Sequence, residues 1–181
     1  MGNAIKACTE LYDVSRKELF VISHFELSIN KSVEQTCLET LKDLQLDYLD
    51  MYILEFPKYS DDMDYFLVLE ESNYVQNIWF QMENLVKKGL IRNIGLRNFP
   101  LNLLEELFSY CNIPPGIVKI DSNPEYPHND TLMICKRKNV QVCTTLPFGI
   151  DDNLLENELV DTISKKLSLI HISEPTRLHV I

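Results

Sequence analysis

Five short apolar runs alternate with longer stretches whose apolar residues recur at helical spacing, and this alternation constrains the fold of the 181-residue chain more than any other feature. The runs are predicted strands at residues 19–22, 48–54, 91–96, 117–120 and 140–145. Continuous apolar runs are typical of strands buried on both faces, as in a parallel sheet. Strands that alternate with helices therefore predict a parallel sheet with helical crossovers.

The stretches between these runs carry the start and stop signals of helices. Ser32 and Gln35 form a capping-box pair before a helix predicted over residues 33–44. A second helix is predicted between Asn73 and Gly89, where the glycine suits the position just beyond a helix end. Further helices are predicted from about residue 100, over 129–138 and over 154–166, and residues 61–71 are predicted to form an acidic loop.

Two architectures satisfy this alternation, a doubly wound open sheet and a closed (β/α)8 barrel. A barrel typically needs ~250 residues and eight strands, whereas this chain has 181 residues and five predicted strands. An open parallel sheet with an uncovered edge leaves backbone groups unpaired and promotes aggregation. The pattern leaves two possibilities, a complete doubly wound sheet or a barrel that lacks some of its units.

The charge balance and the hydropathy argue against nucleic-acid and membrane partners. The formal net charge is −10 and no stripe of Lys and Arg interrupts it, so the surface is expected to repel a phosphate backbone. Only 5 glycines are present, which argues against a glycine-rich phosphate-binding loop. No apolar run approaches the ~20 residues of a membrane-spanning helix. We therefore expect no nucleic-acid partner and no membrane partner.

The cysteines and histidines predict neither a disulfide framework nor a metal site. The 5 cysteines are scattered without a CxxC pair, which is typical of reduced thiols in a cytosolic protein. The 4 histidines do not form a cluster with metal-ligand spacing. Residues 1–10 lack the apolar centre of a signal peptide. We therefore expect a cytoplasmic protein without a metal site.

Several segments of the chain are similar to the aldo-keto reductase family, in the family's order and spacing between Gly2 and Gly149. They include GNAI at 2–5, RKELFV at 16–21, VEQTCLETL at 33–41, LDYLDMY at 46–52, residues 82–95, NF at 98–99, residues 139–142 and PFG at 147–149. The resemblance implies a (β/α)8 TIM barrel, in which the five predicted strands correspond to the family's third to seventh. It also implies reduction of a small-molecule carbonyl substrate with NADP(H) as the cofactor.

The resemblance further implies that the family's four acid–base residues do not occur here in their usual form. The catalytic Asp and Tyr belong to a segment that precedes Gly2 in the family. His24 stands at the position of the catalytic Lys, and Glu55 stands at the position of the catalytic His. In the family the Tyr protonates the developing alkoxide, and the Lys lowers its pKa. His24 and Glu55 are the candidate catalytic residues by position; alternatively, they pair with each other or face water.

The positions that hold the nicotinamide carboxamide are also substituted. A Ser-Asn pair after the family's fifth strand corresponds here to Arg97 and Asn98, and a Gln on the sixth strand corresponds to Lys119. The Tyr that stacks on the nicotinamide ring corresponds to Thr145, which has no ring. The resemblance therefore makes Asn98, Arg97 and Lys119 the candidate cofactor-binding residues, of which only Asn98 matches the family.

The chain is predicted to contain one domain and a tail. Residues 1–166 form the incomplete aldo-keto reductase-like barrel. Residues 167–181 resemble a translated sequencing-library adapter and no segment of the family, so we exclude them from the fold. The alternative for this segment is a genuine docking tail around His171 and His179.

Two functions remain open for this chain. It is either an incomplete NADP(H)-dependent oxidoreductase of the aldo-keto reductase type, or a non-catalytic pseudoenzyme or scaffold that kept the helices and lost the site. A missing segment accounts for the absent Asp and Tyr, whereas the substitutions at His24, Glu55 and Lys119 indicate a divergent lineage. In both cases we expect the 181-residue chain to lack reductase activity and, with its barrel open, to be prone to aggregation.

Overall fold

A computed structural model of the chain describes residues 1–27, 31–57, 72–149, 154 and 157–167. The strands in this part of the chain are β1 (Ile22–Glu26), β2 (Met51–Glu55), β3 (Ile94–Arg97), β4 (Ile117–Asp121) and β5 (Gln141–Thr145). The helices are α1 (Gly2–Leu11), α2 (Val33–Leu44), α3 (Ser72–Lys87), α4 (Leu101–Tyr110), α5 (Asn129–Arg137) and α6 (Glu158–Leu167). The predicted alternation of strands and helices is therefore confirmed.

The five strands form a single sheet in the order β1-β2-β3-β4-β5. The first four pair in parallel, with Ile22 opposite Met51, Ile53 opposite Gly95, and Gly95 opposite Ile117. A doubly wound sheet reverses its strand order at a switch point, whereas the strands of a (β/α)8 barrel follow one another around the axis. The unreversed order therefore identifies the fold as five consecutive βα units of a barrel.

The chain divides into two compact units. The first unit contains Met1–Ile120 and His128–Cys143, and its core includes Trp79, which is fully buried. The second unit contains Asp121–Pro127 and Thr144–Ile181. Within its described residues, the backbone N–H of Ser122 donates to the Thr145 carbonyl, the Thr145 hydroxyl donates to the Asp121 carboxylate, and Asn157 donates to Glu125.

One face of the sheet in the first unit packs against the helices. The core that it shares with them includes Phe25, Tyr52, Leu54, Leu96 and Val118. Successive side chains of a strand point to opposite faces, so the residues between these core positions lie on the other face. That second face carries apolar residues near the start of the strands and charged residues near their carboxyl ends: Ile22, His24, Met51, Ile53, Glu55, Gly95, Arg97, Ile117 and Lys119.

Gly95 in β3 is required by the close packing of this second face. A Cβ atom at this position would lie 2.8 Å from Cγ2 of Ile117 and 3.1 Å from Cγ1 of Ile53. The glycine thus allows the two isoleucines of the neighbouring strands to meet across β3, which closes the layer below the charged residues. The charged strand ends consequently stand above an apolar floor.

The first strand begins later than the sequence pattern predicts. The apolar run at residues 19–22 was the predicted strand, but β1 starts at Ile22 and extends to Glu26. Phe20 is 62% exposed, and the backbone N–H of Val21 donates to the Asp50 carboxylate at 2.9 Å instead of joining a strand ladder. The Val21 N–H is bound by the side chain of a distant residue, and the strand begins at the next residue. Helix α1 was not predicted from the sequence.

The remaining predicted features have separate outcomes. The predicted acidic loop at residues 61–71 lies outside the described residues, and so do residues 168–181, which include His171 and His179. The helix predicted over residues 154–166 is observed as α6, which starts at Glu158. Among the helices that the structure describes, none has the length and apolar character needed to cross a bilayer.

Candidate functional site

The carboxyl ends of the strands carry a row of charged residues on the second face, opposite the face that packs against the helices of the first unit. The strand register places Glu26 beside Glu55, Glu55 beside Arg97, and Arg97 beside Lys119. Neighbouring strands are about 4.8 Å apart, so these side chains form one continuous row. His24 lies on the same face, two residues before Glu26. In barrels of this type the carboxyl ends of the strands carry the functional residues, so this row is the candidate site.

Glu55 and Arg97 form an ion pair within the row. The Arg97 Nη1 and Glu55 Oε1 atoms are 3.2 Å apart, and the two side chains are 26% and 23% exposed. The guanidinium therefore compensates the charge of the carboxylate in a partly dehydrated setting, where such a pair is less screened than at an open surface. The sequence left open whether Glu55 pairs with His24 or faces water. In the structure the ion-pair partner of Glu55 is Arg97 instead.

The electrostatic surroundings of His24 favour its neutral form. Desolvation lowers the pKa of the imidazole below 6.5, and the positive charge of Lys119 lowers it further. The Glu55 carboxylate acts in the opposite direction, and Arg97 adds a smaller depression. The imidazole is therefore predominantly uncharged at neutral pH, unlike a lysine ammonium at the same place.

This lowered pKa predicts a pH-dependent contribution to stability. Below about pH 6.5 the unfolded chain protonates His24 while the folded chain does not, so the free energy of unfolding falls as the pH drops from that value toward the folded-state pKa. Replacing His24 with Gln should remove this component. Urea unfolding of both proteins at several pH values measures it, and a difference between them that stays constant across the window would contradict the assignment.

Asn98, directly after β3, presents a donor without an acceptor. Its backbone has a left-handed φ of 55°, a conformation that asparagine tolerates better than most residues, and its N–H donates to the Lys119 carbonyl at 3.0 Å. The side-chain Nδ2 atom is buried and has no hydrogen-bond partner among the residues that the structure describes. A buried donor without a partner is costly and calls for an explanation.

The structure thus brings together His24, Glu55, Arg97, Asn98 and Lys119, all within the first unit. Thr145 belongs to the second unit, where its hydroxyl donates to Asp121. Sequence reasoning missed Glu26, although its position two residues after His24 would have indicated the same face of a strand. No group of three His, Cys, Asp or Glu side chains in the described part of the chain is arranged to hold a metal ion.

Comparison with known proteins identifies the relatives of the chain. The model of the Aldo/keto reductase family matches residues 1–155. A D-galacturonate reductase of Fragaria ananassa is 30% identical over 178 residues, which cover 91% of this chain and 56% of that protein. Aldo-keto reductase family 1 member A1 of Bos taurus is 28% identical, with 89% and 52% covered. The chain therefore spans about half the length of the curated relatives that it matches.

Solved structures give the same result for the fold. The aldose reductase from Schistosoma japonicum superposes with a TM-score of 0.72 at 26% identity, covering 92% of this chain and 57% of that one. A Bombyx mori aldo-keto reductase in complex with NADP superposes with a TM-score of 0.63 at 28% identity, covering 79% and 46%. The five-stranded sheet is thus a partial barrel of the kind seen in these enzymes.

The described residues fit the nicotinamide group of such a cofactor poorly. The carboxamide of nicotinamide offers one acceptor and one donor group, and Asn98 can match both. Arg97 and Lys119 are donors only, so they leave the amino group of the carboxamide without an acceptor. Their positive charges also repel the positively charged ring of the oxidised cofactor. Only the unpartnered Nδ2 of Asn98 agrees with a bound nicotinamide.

Proposed function

Because the chain belongs to the aldo/keto reductase family, we propose that it carries the third to seventh βα units of a barrel that, in complete form, reduces small-molecule carbonyl compounds with NADP(H). We propose further that the 181-residue chain does not itself catalyse this reduction. The first part is supported by the family match and by the consecutive strand order. The second part is supported by the residues at the strand ends.

The ion pair between Glu55 and Arg97 is the observation that carries the second part. NADPH, when bound, supplies a hydride, and the protein must supply a proton to the alkoxide that forms. Glu55 is engaged in an ion pair with the Arg97 guanidinium, so its carboxylate is occupied by a neighbouring side chain of the chain itself. His24 is predominantly neutral and does not replace the charge of a lysine. None of these groups therefore supplies the proton in the way that the family does.

The direct test is to follow NADPH absorbance when the purified 181-residue chain is mixed with a reactive aromatic aldehyde. We expect the rate of NADPH loss to equal that of the buffer blank, while an active aldo/keto reductase measured in parallel gives rapid loss. Turnover that scales with the concentration of this chain and disappears in Glu55→Ala would overturn the proposal.

The substitutions within the described strands favour the pseudoenzyme alternative over simple incompleteness. Arg97 and Lys119 are cations that can donate but not accept hydrogen bonds, and they stand at the positions where the family binds the nicotinamide carboxamide. The double substitution Arg97→Ser with Lys119→Gln should therefore increase affinity for NADPH, by about tenfold or more, because serine and glutamine offer acceptors to the amino group of the carboxamide where the two cations offer none. Enhancement of nucleotide fluorescence on binding measures this affinity.

The matched control for that experiment is Lys17→Gln with Lys42→Gln, which removes the same charge from exposed positions away from the strand ends. This control variant should bind NADPH as the unmodified chain does. Equal gains in the two double variants would mean that net charge alone is responsible. Tight binding by the unmodified chain would contradict the pseudoenzyme assignment.

Two further parts of the proposal concern location and chain organisation. We place the protein in the cytoplasm, since all five cysteines are free thiols, one of them exposed, as is usual in a reducing compartment. We also propose that the barrel ends at residue 166 and that residues 167–181 are not part of it. Mass spectrometry of the native protein tests the second statement, because a native chain with a different sequence after residue 166 supports it.

A further inference from the structure

The two cations at the ends of β3 and β4 stand out in a chain whose formal net charge is −10. Arg97 and Lys119 are register partners in adjacent parallel strands, so both side chains lie on the second face of the sheet. Glu55 compensates Arg97 in part. The Lys119 ammonium forms no ion pair with any residue that the structure describes, and this leaves a positive charge at the carboxyl ends of the strands.

Three side chains at this corner of the sheet carry donor groups close together. Arg97 shares its guanidinium with Glu55 at 3.2 Å, Lys119 offers an ammonium, and Asn98 offers a buried amide N–H without a partner among the described residues. We propose that Arg97, Asn98 and Lys119 form a binding site for the oxyanion group of a small ligand, a carboxylate or a phosphate. Such groups accept several charge-assisted hydrogen bonds at once, which matches a corner where two cations and an amide donor lie together.

The surroundings of His24 agree with a positive potential at this place. Desolvation lowers the pKa of His24, and the positive charges of Lys119 and Arg97 lower it further. Glu55 raises this pKa, but the net shift is still downward. The field of the two cations therefore extends along the row to β1. An oxyanion bound between them would reduce this field, so His24 is a natural reporter of binding.

The same chemistry distinguishes the proposed ligand from other classes. A metal cation would be repelled by Arg97 and Lys119, and an amide such as nicotinamide would find an acceptor for its amino group at Asn98 but not at these two cations. An apolar ligand would bury the ammonium of Lys119 without compensation, which is costly. The location agrees with ligand binding, because ligands of parallel barrels bind at the carboxyl ends of the strands.

The experiment is an NMR titration of the full 181-residue chain labelled at histidine, with His24 assigned from the resonance that disappears in His24→Gln. Sodium phosphate and sodium D-glucuronate are added in separate arms, and sodium chloride at equal ionic strength is the reference. We expect a saturable shift of the His24 resonance and a rise in its pKa with at least one oxyanion, beyond the effect of chloride. The arm that saturates at the lower concentration identifies phosphate or carboxylate as the preferred group.

Variants of Lys119 decide whether the effect arises at the proposed site. Lys119→Gln should weaken oxyanion binding about tenfold, the effect of losing one charge-assisted hydrogen bond, whereas Lys119→Arg should retain it. Lys42→Gln, at an exposed position of α2, is the matched control and should bind as the unmodified chain does. The unchanged His128 resonance verifies that each variant is folded.

Two results would overturn the proposal. In the first, both oxyanions shift His24 only as much as chloride does, which means that screening alone acts on the imidazole. In the second, Lys119→Gln binds as tightly as Lys42→Gln does, which means that the site lies elsewhere. The readout requires neither NADPH nor turnover, so this proposal and the proposed function can fail separately.

Discussion

Replacing Asp50 with alanine is expected to lower the free energy of unfolding by about 3–5 kcal/mol, as for other buried ion pairs that lose one partner. Asp50 precedes β2 and is only 5% exposed. Its carboxylate accepts the Val21 N–H at 2.9 Å and lies 2.8 Å from the Arg16 Nη2 atom and 3.5 Å from the Arg92 Nη1 atom. Alanine would leave the Val21 N–H without its acceptor and remove the anionic partner of Arg16, which would retain only the Leu19 and Tyr48 carbonyls. Urea unfolding followed by circular dichroism measures the loss.

The aromatic ring of Tyr48 explains why this cluster is sensitive. The guanidinium carbons of Arg16 and Arg92 lie 4.1 Å and 3.8 Å from its centroid, on a ring that both cations contact. Asp50 therefore holds two like charges near each other, which repel when the carboxylate is removed. The cluster lies at the amino-terminal end of the strands, the end that serves stability in barrels of this type.

Two substitutions separate the roles of charge and hydrogen bonding at Asp50. Asp50→Asn keeps an acceptor for the Val21 N–H but removes the charge, so we expect a loss smaller than that of alanine. Arg92→Gln removes the more exposed and more distant cation and should cost less than about 1 kcal/mol. If Asp50→Ala costs no more than Arg92→Gln, the carboxylate is not the centre of the cluster.

The order of strands and helices could be predicted because it depends on local patterns. The apolar runs and the capping pair at Ser32 each report on a few neighbouring residues, and Ser32 does accept from the backbone N–H of Gln35. The start of β1 could not be predicted in this way. Its position depends on Asp50, which captures the N–H of Val21 from a distant part of the chain.

Most members of the candidate site could be predicted, Glu26 being the exception, but their partners could not. The family resemblance gives His24, Glu55, Arg97 and Lys119 by position, and these residues do lie on one face. The ion pair between Glu55 and Arg97 depends on strand register, which a one-residue shift would abolish. The register of neighbouring strands cannot be read from a single sequence. Pairing of Glu55 with His24 was therefore as reasonable an expectation as pairing with Arg97.

The pairing of Glu55 changes the chemical interpretation of the site. The glutamate at the position of the family's catalytic His is bound to the guanidinium of Arg97 and is not directed to a substrate alone. The same guanidinium, with Lys119 beside it, creates the donor-rich corner for which we propose an oxyanion ligand. The two proposals, loss of the acid–base chemistry and a preference for an oxyanion, thus rest on the same pair of substituted positions.

Replacing Glu83 with alanine is the second change expected to destabilise the fold severely, by about 3 kcal/mol or more, because buried donors that lose their acceptor cost about 1–3 kcal/mol each. Glu83 lies in α3 and is 1% exposed. Its carboxylate accepts from the backbone N–H groups of Asn112 at 2.7 Å and Ile113 at 2.9 Å, and from the Asn112 side chain at 2.9 Å. It therefore anchors the turn that leads from α4 into β4.

Glu83→Gln is the informative control, because glutamine keeps the shape and one acceptor oxygen but replaces the other with a donor. We expect it to lose less stability than Glu83→Ala and to leave β4 in register, so that the His24 resonance keeps its position. Glu83→Ala should destabilise the turn before β4. It should thereby disturb the strand register that places Arg97 beside Lys119. The prediction is contradicted if the Glu83→Ala protein unfolds at the same urea concentration as the unmodified chain. Water would then satisfy the N–H groups of Asn112 and Ile113, and the position of Lys119 would not depend on α3.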